Sequence, residues 1–370
     1  RHRALARGRR GPRGGRLRSL RFRALDRRPG GSLEGQRDAE VAPVAQVKVG
    51  LRLSMLATQE AVCLTAVAIS DGSAAVSDPA SVASTTVRRR YHVFMRQLSK
   101  RNATFQYWET LVSNRTKRNR AREMVVQGVR PISLALDSGL ALRTLLISTN
   151  KNRSHWAERT IAIAEAEGAD IYLVDVELMK ELGEKDEEAP EVLLIVEIPA
   201  DDLSRIPVSA KSLIVALDRP ASPGNVGSIT RSVDALGGHG VLISGHAADP
   251  YDPKALRAST GSTLMMPTTR VAGPRPVLEW VNTLRADGLD IQIVGTDEDG
   301  EYNVWDVDLT RPTIIVTGNE RSGLSASWKD ACDVLTQIPM TGHASSLNAA
   351  NATTVLLYEA SRQRRPGPIK

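Results

Sequence analysis

The sequence predicts an α/β protein of two successive units, the second built around a parallel sheet. Three observations carry this. Apolar, β-branched runs such as Ser212–Leu217, Gly240–Ser244 and Thr313–Thr317 are short and bounded by polar or glycine residues, as strands covered on both faces are. Between them lie stretches with helical apolar spacing, such as Val226, Ile229, Val233 and Leu236. Strands that alternate with helices need crossovers, and crossovers give parallel neighbours. The chain of 370 residues is long enough for two domains of ordinary size.

Residues 1–94 stand apart. They hold 18 Lys/Arg and 7 Asp/Glu, a net of +11, which leaves the remainder at −4. Their first part is dominated by Arg, Gly and Leu, and Asp71–Thr86 mostly by Ser, Ala, Val and Asp. Neither sustains a period, so a disordered or non-native extension is expected over 1–94. An Arg-rich arm drawn to RNA phosphates is the rival reading. The stretch Leu51–Ser70 carries Arg52, Gln59 and Glu60 and is too polar for a membrane span. Two distant cysteines, Cys63 and Cys332, predict no metal site and a reducing, cytoplasmic setting.

The first domain is expected over 95–200. Residues 96–122 concentrate Arg96, Lys100, Arg101, Arg115, Lys117, Arg118, Arg120 and Arg122 against one acid, Glu109. Phe105, Tyr107 and Trp108 are interleaved. Cations for phosphates beside aromatic faces suit single-stranded RNA, although aromatics are more often core. Arg115, Lys117, Arg118, Arg120 and Arg122, with Arg130 downstream, are therefore the expected RNA contacts. After Met124–Val126, helices are predicted at Pro131–Ser138, Trp156–Glu167 and Glu177–Leu182. Strands alternate with them at Arg143–Ser148, Ile171–Val174 and Val192–Ile198. Pro199–Ala210 is polar and reads as the linker.

The second domain, 211–366, begins with the strand Ser212–Leu217. Helices are predicted at Asn225–Leu236, Pro253–Ser259, Pro276–Asp287, Ala326–Ala331 and Ser345–Arg364. Strands are predicted at Gly240–Ser244, Asp290–Gly295, Thr313–Thr317 and Val334–Ile338. In open parallel sheets ligands bind beyond the carboxyl ends of the strands, and three such loops carry polar groups. The first is Asp218–Arg231, where Asn225 follows Pro223-Gly224 and is expected to cap a helix, with Arg231 on the face opposite the apolar stripe. The second, Ile314–Ser325, holds Gly318, Glu320 and Gly323. The third, Ile338–Asn348, ends in Ser346 and Asn348 at a helix start. Taken singly, each loop is ordinary turn and cap chemistry.

Together, in this order, the three loops resemble the motifs of the SpoU/TrmH family of RNA ribose methyltransferases, and Arg257–Ser262 looks like that family too. Arg118–Arg130 resembles the start of the ribosomal-protein L30e-like RNA-binding domain that precedes many such catalytic domains. The second motif has Asn319 and Arg321 around its Glu, and the third has Ala349-Ala350, both mild departures. The resemblance implies a trefoil-knotted domain, a homodimer, and methyl transfer from S-adenosylmethionine to a ribose 2′-hydroxyl. It implies catalytic roles for Asn225, Arg231, Glu320, Ser346 and Asn348. It implies cofactor contacts at Gly295, Thr296, Gly318, Asn319, Ile338, Met340 and Leu347. The RNA expected is 23S rRNA, at a uridine, with resistance to ribosome-directed antibiotics as the role that would follow. A tRNA 2′-O-methyltransferase and a non-catalytic ribosome-assembly protein are the alternatives. A dinucleotide-binding enzyme is disfavoured because Gly224-Asn-Val-Gly lacks the Gly-x-Gly-x-x-Gly spacing.

Overall fold

The structure, a computed structural model, describes residues 95–150, 152–183 and 188–365. The expectation for residues 1–94 lies outside the described residues. The first sheet contains β1 (Arg96–Leu98), β2 (Glu123–Gln127), β3 (Leu142–Ser148), β4 (Asp170–Val174) and β5 (Val192–Glu197) in the order β1-β4-β3-β5-β2. Strand β5 runs antiparallel to β2 and β3, and the other pairs are parallel. Helices α1 (Ala103–Ser113), α2 (Arg115–Ala121), α3 (Val129–Asp137), α4 (His155–Ala166) and α5 (Val176–Leu182) cover it. The interleaved basic segment proves to be β1, α1 and α2. Asn102 caps α1 by accepting from the Phe105 amide, and Phe105, Trp108 and Leu111 then fall on the sheet side.

The second sheet has seven strands: β6 (Leu213–Asp218), β7 (Gly240–Ser244), β8 (Thr268–Val271), β9 (Gln292–Thr296), β10 (Tyr302–Asn303), β11 (Thr313–Thr317) and β12 (Val334–Gln337). Their order is β10-β12-β9-β11-β6-β7-β8, parallel throughout. Helices α6 (Pro223–Ala235), α7 (Pro253–Ser259), α8 (Ser262–Met265), α9 (Pro274–Ala286), α10 (Ala326–Lys329) and α11 (Ala349–Gln363) connect them. Both faces of the sheet are buried, and β6 shows why its run is unbroken. Leu213, Val215 and Leu217 pack towards α6 and α11, while Ile214 and Ala216 pack towards α9 and Trp328. The last helix begins at Ala349 rather than Ser345, and residues 341–348 form an exposed loop.

Two features join the sheets. The expected linker holds a short 3-10 turn, Leu203–Arg205, and Ile206 behind it is buried in the core of the second sheet. Tyr251, Leu256 and Leu264 from the second unit belong to the same apolar cluster as Met124, Ile132 and Leu194 of the first. No helix among the described residues is long and apolar enough to cross a membrane.

Candidate functional site

The three polar loops meet at the carboxyl ends of β6 and β11 and the amino end of α11. Ser222, not Asn225, caps α6: its hydroxyl accepts from the Asn225 amide at 3.3 Å, and Pro223 holds the first helical position. This corrects the expected cap and frees the Asn225 side chain. Asn225 Nδ2 donates to Glu320 Oε1 at 2.8 Å, and its Oδ1 accepts from Asn348 Nδ2 at 3.2 Å. Asn348 Oδ1 accepts from the Ala350 amide at 2.8 Å and so caps α11. Glu320 also accepts from the amides of Ala221 at 2.9 Å and Ser222 at 3.2 Å. Burial works against its charge, but these hydrogen bonds prevail and hold its pKa below the ordinary glutamate value.

The loop after β11 is pinned from two sides. Asn319 and Gly323 exchange backbone hydrogen bonds at 3.0 Å. Asn319 Nδ2 donates to the Arg219 carbonyl at 2.6 Å. Arg219 is a non-glycine residue in the left-handed region, φ 50°, and its guanidinium pairs with the buried Asp218 at 2.9 Å. The other Asp218 oxygen accepts from the Ser325 amide at 2.7 Å. Gly318 is required here, because a Cβ would lie 2.4 Å from the Gly323 carbonyl carbon.

A cavity of about 610 Å3 opens beside this cluster. Thr296, Gly318, Asn319, Ile338, Met340 and Leu347 line it, as do Glu320 and Ser346. Gly295 does not. The position of its missing Cβ faces Cys332 Sγ at 2.6 Å and Leu335 at 2.8 Å, so the glycine serves sheet packing rather than the cavity. Burial pushes the Cys332 thiol up to about 12, and it stays protonated there. Asn225, Asn348 and Arg231 lie outside the lining. Arg231 is exposed on α6, and its side chain makes no hydrogen bond or ion pair among the described residues. The acids Asp297, Glu298 and Asp299, which carry no motif, also line the cavity. Their position just after β9, at a carboxyl strand end, was the available signal. Asp297 is paired with Lys329 at 2.7 Å.

The basic segment divides. Arg118 is 1% exposed, so the expectation that it touches RNA is corrected. Its guanidinium is consumed by Asp249, Asp252 and the carbonyls of Leu111 and Val112. Arg115 donates to the Ala247 carbonyl and Arg122 to the Ile198 carbonyl, and both remain exposed. Lys117, Arg120 and Arg130 are exposed and have no side-chain partner among the described residues. Phe105 and Trp108 are core, and Tyr107 donates from the surface to Glu123 at 2.6 Å.

Residues 212–358 match the SpoU rRNA methylase family, and residues 102–194 match the SpoU L30e-like domain. The chain belongs to the SpoU rRNA methylase family and is a methyltransferase. Among its relatives is the 23S rRNA (uridine(2479)-2′-O)-methyltransferase of Streptomyces viridochromogenes, 52% identical over 272 residues, 74% of this chain and 94% of the relative. The crystal structure of the SpoU methyltransferase AviRb from that organism, in complex with the cofactor AdoMet, matches with a TM-score of 0.68 over 71% of this chain and 98% of its own, at 52% identity. An AdoMet-bound rRNA methyltransferase from Sinorhizobium meliloti matches with a TM-score of 0.66 over 74% of this chain and 99% of its own, at 28% identity.

Proposed function

We propose that this chain transfers the methyl group of S-adenosylmethionine to the ribose 2′-hydroxyl of a uridine in 23S rRNA. The observation that carries this is the side-chain relay from Asn348 through Asn225 to Glu320, which ties the three family motifs together beside the cavity. The residues there fit the cofactor. Ile338, Met340 and Leu347 offer an apolar surface for a nucleobase, and the acids of 297–299 suit its ammonium, sulfonium and ribose hydroxyls.

When bound, S-adenosylmethionine supplies an electrophilic methyl on sulfur. The chain's part is positioning, since in-line transfer gains most from a fixed approach. Asn225 and Asn348 orient the incoming ribose, Ser346 offers a hydroxyl from the exposed loop, and Glu320 holds the relay. Arg231 meets the RNA. A guanidinium is a poor proton acceptor, so it clamps a phosphate and stabilises the forming alkoxide, and the hydroxyl proton passes to solvent.

The chain works as a homodimer in which a second subunit completes each site. Support comes from α6 and α11, joined by the Ser232–Thr354 hydrogen bond at 2.7 Å, where Val355 and Tyr358 stay 37% and 55% exposed along α11. A trefoil knot at the carboxyl end accords with Arg364, which bonds the carbonyls of Leu309, Lys211, Ser212 and Arg311. The setting is the cytoplasm, and altered ribosomes would lower susceptibility to ribosome-directed antibiotics.

Primer extension at low nucleotide concentration on 23S rRNA, from cells with and without the protein, tests the reading. A stop that depends on the protein is expected, with tRNA assayed alongside. Absence of any such stop in 23S rRNA, with methylation of tRNA instead, would overturn the substrate.

A further inference from the structure

Arg118 is the most deeply buried cation of the basic segment, and its four side-chain hydrogen bonds and two ion pairs reach two different units. Nη1 donates to the Leu111 and Val112 carbonyls, both at 2.9 Å, and so holds the carboxyl end of α1. Nε donates to Asp249 Oδ2 at 3.0 Å, and Nη2 lies 3.0 Å from the same oxygen and 3.1 Å from Asp252 Oδ2. Asp249 is 3% exposed, so this is a buried pair reaching across from α2 to the second unit.

The far side of the clamp leads to the catalytic helix. Asp252 is the amino-terminal cap of α7, and its other oxygen accepts from the Lys254 amide at 3.0 Å. Helix α7 then lies against α6 with no room to spare. A Cβ on Gly227 would sit 2.1 Å from the Ala255 carbonyl oxygen. Gly227 is two residues after Asn225 and one turn before Arg231. The near side leads to RNA, since Lys117 and Arg120 flank Arg118 on the same short helix and are exposed. The neighbouring contacts reinforce the joint. Arg270 donates to Asn119 and pairs with Asp201 at 2.8 Å, and its guanidinium lies over the Tyr251 ring.

We propose that Arg118 is a positioning residue for methyl transfer: it fixes the distance and angle between the RNA-contacting cations of α2 and the helix that carries Asn225 and Arg231. The two units then act as one ruler, and the reactive ribose is selected partly by its distance from the RNA held at α2. This rests on the function proposed above.

The test uses the full chain with Arg118→Lys, which keeps the charge but lacks the fork needed to hold two carboxylates and two carbonyls. A gentler second variant, Asp252→Asn, keeps a good cap for α7 and removes one charged partner. S-adenosylmethionine binding by calorimetry counts folded sites. Single-turnover methylation of rRNA is then read per cofactor-binding site. Misplacement by a fraction of an ångström or more should lower that rate about tenfold to a hundredfold in Arg118→Lys, and less in Asp252→Asn. The dissociation constants for cofactor and RNA should stay within about threefold, since neither surface is touched. A merely structural role would lower the number of binding sites and leave the rate per site unchanged, and that result overturns the proposal. A wild-type chain that methylates no rRNA sinks the functional reading alone. Backbone hydrogen exchange then decides this one. Faster exchange in Arg118→Lys across 249–259 and in α6 supports the coupling, and unaltered exchange there overturns it.

Discussion

Each amide in the relay beside the cavity has one orientation open to it. Asn348 must turn its oxygen to the Ala350 amide, so its nitrogen faces Asn225. Asn225 must then turn its own nitrogen to Glu320, and only an ionised carboxylate accepts there and from two backbone amides at once. Glu320→Gln places a donor against donors and should lower methylation by about tenfold or more, in line with the loss of a charged hydrogen-bond acceptor. Because the folded-state pKa of Glu320 lies below its ordinary 4.5, its charge stabilises the fold above that pH. That contribution is lost as the pH falls through the lowered value. Calorimetric melting should therefore separate wild type from Glu320→Gln at pH 7 and bring the two together in strongly acid solution. An equal gap at both pH values would mean the carboxylate is not the stabilising form. Arg231 is the opposite case, a cation with nothing in the described residues to hold it. Arg231→Ala should abolish methylation while calorimetric binding of S-adenosylmethionine stays near normal, and lost cofactor binding would remove it from the RNA side of the site.

At the scale of elements, the loop after β11 owes its shape to two glycines in different ways. Gly318 is constrained by space, with Gly323 backbone 2.4 Å from any added Cβ, while Gly323 is constrained by its φ of 61° in open surroundings. Gly318→Ala must force the Asn319–Gly323 bridge apart, and should cost about 1–3 kcal/mol of stability and weaken cofactor binding. Gly323→Ala should cost about 1–2 kcal/mol from backbone conformation alone. Thermal melts with cofactor titrations would distinguish them, and equal cofactor affinity in both would show that the bridge does not shape the cavity. The elements also show what could be read from residues alone. Strands β6, β7 and β11 and helix α7 lie within a residue of their expected bounds, because doubly buried strands are unbroken apolar runs and α7 opens on an Asp-Pro cap. Strands β1, β8 and β10 are two to four residues long and partly polar, too short to show a period. The α6 cap falls at Ser222 and not Asn225 because Pro223-Gly224 opens the helix instead of making a turn, and Ser222 before a proline at the first helical position is the stronger start signal. Glu320, Asn225 and Asn348 stood out by their motifs. Arg118 stands out only as a surface cation, and its buried role is illegible because its carboxylates lie 131 and 134 residues further on and nothing local marks a buried guanidinium.

At the scale of the whole molecule, the body beyond residue 94 carries a net charge of −4, so bulk attraction cannot bring RNA to it. Attraction has to come from cations that the fold leaves unspent. Several surface arginines are already paired: Arg101 with Glu109 and Glu181, Arg143 with Glu197, Arg285 with Asp333 and Arg311 with Asp290. Lys117, Arg120 and Arg130 are exposed and keep their charge for a partner from outside. If they meet phosphates, each contact releases counterions, and the salt dependence of binding counts them. Lys117→Ala with Arg120→Ala should reduce the slope of log affinity against log salt by about 1.4 for single-stranded RNA, roughly 0.7 for each cation removed. Arg118→Lys should leave that slope alone, because a side chain buried to 1% exposure has no counterion to release. Filter binding of an rRNA fragment across a series of potassium chloride concentrations measures all three chains. A slope unchanged in the double variant would place the RNA on another face, and a slope that moved with Arg118 would mean that the clamp opens when RNA binds.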